Sequence, residues 1–265
     1  VRGCIVLILL GLVTLIGPNP AWAEARPTLL TVWRVQPPTD SSTTERSVKD
    51  GEIVLKQSLL PMSLATLDQS VEISANGLSV EAGSQLVQAL TQQGRAYCAL
   101  DTVSRAKASL FVKPIKGLAI CLLDSNEDGR FDSAFGMPGG TGLLMVEGTI
   151  PKSALSVDIP YTQRPVEEIK GDFFVALRYE QYFNIYGNRM FFLDYGGRGK
   201  TQSLTNFVKF NAKGPFPQSV DVYGARFTIL NAEAEGVALR IDQPLLMKTF
   251  AVHSYTTTTF IPIRY

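Results

Sequence analysis

Apolar and polar positions alternate with a period of two over long stretches of this chain. Between Asp172 and Gly187, Phe173, Val175, Leu177, Tyr179, Phe183 and Ile185 fall on one parity, while Arg178, Glu180 and Asn184 fall on the other. Successive side chains of a strand point to opposite sheet faces, so this pattern predicts strand with one buried face. Val237, Leu239 and Ile241, separated by Ala238 and Arg240, repeat the signature. Short apolar runs recur between turn residues at 28–35, 52–60, 70–74, 95–100, 109–115 and 117–123, and each reads as a strand. Residues 80–94 are the exception, because Leu86, Val87 and Leu90 fit one face of a helix.

These elements predict a mainly β fold, an antiparallel β-sandwich with few short helices, built as one large or two small β domains. A polar, proline-containing stretch at 36–46 follows the first strand and reads as a linker. The glycine-rich stretch at 136–142 is the best candidate boundary between a β-rich region at 47–142 and another at 143–265.

Residues 1–23 have a different character. Arg2 precedes an apolar run at 4–17, which is shorter than the ~20 residues a membrane-spanning helix needs. A Gly-Pro-Asn-Pro break follows, and then Ala21 and Ala23 stand two apart, as a signal peptidase requires. The expectation is a signal peptide cleaved after Ala23, with residues 24–46 as the N-terminal strand and linker of a periplasmic or extracellular protein. No transmembrane helix is expected in the mature chain.

Cleavage changes two counts. It removes Cys4, leaving Cys98 and Cys121 as an even pair in a compartment where disulfides persist, so they are expected to bond. It also removes Arg2 from 25 basic residues, leaving 24 against 24 acidic ones in 242 residues (265 minus 23), a net charge of zero. That balance gives no electrostatic case for nucleic acid as a partner.

The candidate chemistry is concentrated between two apolar runs. Asp124, Asn126, Asp128 and Asp132 place oxygen-bearing side chains at relative positions 1, 3, 5 and 9; Gly129 allows a sharp turn, and Arg130 stands where a backbone carbonyl would serve. Calcium takes 6 to 8 oxygen ligands from such alternating positions. Over these nine residues the segment resembles the calcium loop of the EF-hand and dockerin families. It departs from them at position 12, where Phe135 replaces the bidentate glutamate, so the resemblance implies a weak site. The competing reading is a hairpin turn in which Asp124 caps backbone amides.

Other motifs carry less. Gly196 to Thr201 ends in Gly-Lys-Thr, but Asp194 stands where a phosphate loop needs its first glycine, so a turn between strands is expected. His253 is the sole histidine, which excludes a multi-histidine zinc site by counting. Glu167 and Glu168 keep open a secreted hydrolase working with paired carboxylates. The aromatic residues of 173–195 suit either a core or a face for a glycan or peptide, and their alternation favours the core. Near the C-terminus, Thr257, Thr259, Ile261, Ile263 and Tyr265 share one parity, which resembles the last strand of an outer-membrane β-barrel, although Pro262 would remove a ladder donor. The leading expectation is therefore an exported binding protein or structural component of the envelope, with the hydrolase and the outer-membrane barrel as alternatives.

Overall fold

A computed structural model describes residues 29–38, 45–73, 78–101, 103–104, 118–140, 142–181 and 188–252. Within these the chain is nearly all antiparallel strand, as the period-two pattern requires, and one 3-10 turn, Val166–Glu168, is the only helical element. The expected cleavage site, the strand at 109–115, His253 and the C-terminal alternation lie outside the described residues. None of the described helical structure is long and apolar enough to cross a membrane.

Six strands close into a barrel. Going round the wall they are Gln85–Leu90, Leu64–Leu67, Leu155–Arg164, Arg130–Pro138, Leu118–Asp124 and Arg95–Ala99, and the last pairs back onto Gln85–Leu90. Closure removes the exposed edges that an open sheet would leave. Among the described residues there are three further sheets, a small one of Val71–Ile73, Leu78–Val80 and Val103–Ser104 and two larger ones. One of the larger sheets has the order Lys200–Asn211, Asn188–Gly197, Phe174–Glu180, Ile53–Pro61, Trp33–Val35 and Thr249–Phe250; the other has the order Gln218–Val222, Ala225–Ala232, Gly236–Gln243 and Arg46–Lys49. The two larger sheets form a half-barrel, with Phe191 of the first stacked on Phe227 of the second at 5.5 Å between ring centroids.

The barrel is an insertion in this second unit. Ile53–Pro61 and Phe174–Glu180 are hydrogen-bonded neighbours, and all the barrel strands lie between them in sequence. The barrel strands span Leu64 to Arg164, and the glycine-rich stretch at 136–142 starts inside Arg130–Pro138 and leads into the connection to Leu155–Arg164.

Two apolar cores explain which runs are continuous and which alternate. Leu86, Tyr97, Ile120, Leu122, Phe131 and Tyr161 fill the barrel interior. Val87, Cys98, Ala119, Cys121, Leu123 and Phe135 point outward from the same wall into a larger core shared with Trp33, Val175, Leu177, Tyr179 and Phe191. A strand buried on both faces reads as an unbroken apolar run, which is why 118–123 shows no alternation. The same cause corrects the helical reading of 80–94. Leu86 and Val87 are adjacent because they serve opposite faces of a strand, one in each core, and Leu90 is exposed rather than part of an apolar stripe.

The aromatic alternation near 173–179 is a core pattern. Phe173, Val175, Leu177 and Tyr179 all enter the larger core, while Arg178 and Glu180 take the other face. Trp33 is fully buried there and its indole N–H donates to the Leu144 carbonyl at 3.0 Å, which satisfies the one polar group that its burial would otherwise strand.

Candidate functional site

The acidic segment forms the tight connection between Leu118–Asp124 and Arg130–Pro138, paired neighbours in the barrel wall. Gly129 has a φ of 88° and Glu127 one of 60°, so the chain reverses through left-handed backbone that glycine adopts without steric cost. Asp124 is fully buried at the end of its strand. Its Oδ1 accepts from the Asp128 amide at 3.2 Å, and its Oδ2 accepts from the Gly129 amide at 3.1 Å and from the Tyr161 hydroxyl at 2.9 Å. A buried carboxylate is tolerable only with such partners.

The remaining oxygens close the turn in the same way. Asn126 Oδ1 accepts from the Asp128 amide at 3.1 Å, and its amide nitrogen donates to Asp128 Oδ2 at 3.0 Å. Asp128 Oδ1 accepts from the Arg130 amide at 2.9 Å. Asp132 accepts from both the hydroxyl and the amide of Ser125, and these bonds, the hydroxyl first, hold its carboxyl below its ordinary value of 3.8. The Arg130 side chain leaves the turn altogether to pair with Asp158 on the adjacent strand. The five residues of the calcium pattern are thus brought into one turn, but the side-chain oxygens of Asp124, Asn126, Asp128 and Asp132 are directed mainly at backbone N–H groups of that turn. Among the described residues no three His, Cys, Asp or Glu side chains gather where one metal ion could be held.

Tyr161 is the partner that sequence reasoning missed. It comes from a strand 37 residues away, and inside the barrel it shares the apolar core with Ile159. Inside the barrel it stacks on Phe131 at 4.3 Å and lies 5.4 Å from Tyr97, so the turn is fastened to an aromatic cluster. Burial, then the hydrogen bond to Asp124 and its negative charge, push the Tyr161 hydroxyl above its ordinary value of 10.0.

Cys98 and Cys121 are bonded, as their even count predicts. They lie directly opposite each other on neighbouring strands of the barrel wall, both fully buried on its outer face. Glu167 and Glu168 occupy the exposed 3-10 turn, and Glu168 pairs with Arg164 at 3.4 Å.

A second feature arises where the two glycine-rich stretches meet. Asn188–Gly197 and Lys200–Asn211 are joined by the two-residue turn Arg198-Gly199, with φ values of 55° and 74°. Positive φ at both positions gives the hairpin a twist that matches its strands. The tip reaches the barrel: Arg198 donates to the Leu100 carbonyl at 2.8 Å and pairs with Asp101, while its own amide donates to Asp172 at 2.9 Å. Gly142, with a φ of 96°, packs on Lys200, where an added Cβ would stand 3.0 Å from that of the lysine. Between the hairpin tip and the barrel strand ends lies a cavity of about 360 Å³, floored by Ala119 and Leu144 and rimmed by Asp101, Gly140, Arg198 and Lys200. In sequence these were two unrelated turns 55 or so residues apart, and only the insertion of the barrel into the second unit sets them side by side.

No family model matches the chain, and no curated protein or solved structure matches it either.

Proposed function

We propose that this chain is an exported protein, cleaved after Ala23, that acts by binding or as a structural component of the envelope rather than as an enzyme. The Cys98–Cys121 bond carries this reading. A disulfide built into the buried wall between two cores belongs to a compartment where such bonds persist, and the apolar leader with its Ala21 and Ala23 pair supplies the route there. The fold suits binding: a packed barrel braced against a half-barrel is a rigid support, and pockets favour the junction between such units. Mass measurement of the protein recovered from its native compartment and then denatured, with and without reductant, tests the reading. The expected product starts at Glu24 and carries one intramolecular bond; an uncleaved chain with free thiols in the cytosol would overturn it.

The proposal extends to a weak calcium-stabilised turn at 124–132. Its support is the oxygen pattern of Asp124, Asn126, Asp128 and Asp132 collected in one reversal. A calcium ion must compete with the amides and the Tyr161 hydroxyl for these oxygens, so any affinity belongs in the range of about 10⁻⁴ to 10⁻³ M used by extracellular modules. Calorimetric titration with calcium is expected to give binding heat that Asp128→Ala abolishes. No heat from either protein removes the calcium reading and leaves a turn closed by its own hydrogen bonds.

A further inference from the structure

The cavity beside the Arg198-Gly199 turn has walls of distinct chemistry. Ala119 and Leu144 supply an apolar floor, and Gly140, packed against the Leu143 carbonyl and Met145, completes the wall. Arg198 is fixed in place by the Leu100 carbonyl and by Asp101, which also balances its charge. Lys200, exposed at the next strand position, is in no ion pair among the described residues.

Resting on the binding reading above, we propose that this cavity takes a small organic carboxylate with a short apolar body. Its carboxylate pairs with Lys200 and lies beside the Arg198 guanidinium, and its apolar body lies on Ala119 and Leu144. The volume stands near the lower end of ligand pockets, which run from ~300 to 1,000 Å³, so the body is a few carbons rather than a long chain or an oligosaccharide.

The test uses the oxidised mature protein and valerate as the probe, with 1-pentanol and inorganic phosphate as comparisons, read by ligand-observed NMR titration. Valerate is expected to bind, with 1-pentanol and phosphate each weaker by about ten-fold because each lacks one half of the recognition. Lys200→Gln is expected to weaken valerate about ten-fold while Lys200→Arg retains it, with circular dichroism confirming that both variants are folded. Equal binding to wild type and Lys200→Gln, binding of phosphate as tight as valerate, or no binding of valerate overturns the proposal. Each of these leaves the export reading standing, since that is decided by processing and thiol state alone.

Discussion

The Tyr161 hydroxyl donates to Asp124 Oδ2 at 2.9 Å inside the barrel, linking the strand Leu155–Arg164 to the end of Leu118–Asp124, two strands round the wall. This one bond gives the acidic segment a structural purpose, whatever it does with metal ions. The carboxylate that begins the turn is also the polar group that the aromatic interior of the barrel has to satisfy.

Tyr161→Phe removes that donor without changing the packing of the ring on Phe131. Hydrogen bonds to charged groups contribute about 1.5–3 kcal/mol, so the variant is expected to lose that much in urea denaturation. Asp124→Ala is expected to lose more, because the amides of Asp128 and Gly129 lose an acceptor at the same time. Equal losses in the two variants would show that the turn does not depend on those amide contacts.

Alkaline stability follows from the raised Tyr161 hydroxyl. A group whose folded-state value lies above its unfolded value of 10.0 stabilises the fold fully below that pH, and the contribution is lost as pH rises through the folded value. Burial also raises Tyr179, Tyr195 and Tyr223, so the wild-type decline above pH 10 is a sum. The difference between wild type and Tyr161→Phe isolates one residue: the urea midpoint of the variant is expected to fall less steeply above about pH 10.

The paired replacement Cys98→Ala with Cys121→Ala tests what the disulfide contributes. The bridge closes a loop between residues 23 apart, for which the chain-entropy description gives about 3 kcal/mol. The double variant is expected to fold and to lose roughly that amount. Reductant should leave the folded wild type untouched, since both sulfurs are buried in the core shared by the two units.

Leu86 and Val87 provide a test of the two-core architecture. Leu86→Ala is expected to cost about 2–5 kcal/mol from the barrel interior, and Val87→Ala a smaller amount from the outer core. Although adjacent, the two side chains share neither core, so the double variant should lose close to the sum of the single losses. A loss well away from the sum would mean that one core relaxes into the other.

The sequence by itself determined the β character of this chain, the cysteine pair and the existence of a sharp turn at the acidic segment. Each of these follows from local rules: period-two alternation at Phe173 to Tyr179, an even count once Cys4 is set aside, and oxygen-bearing residues beside Gly129. Tertiary structure alone decided what those features are next to. Leu86 beside Val87 suits a helix or a doubly buried strand equally well until a second core is known to lie outside the barrel. The partner of Asp124 comes from a strand 37 residues on, and the cavity at Lys200 exists because the barrel is inserted between two neighbouring strands of another sheet. Alternation reports which side of a strand is covered; what covers it is set by strand pairing over long sequence distances, and a local pattern carries no information about that.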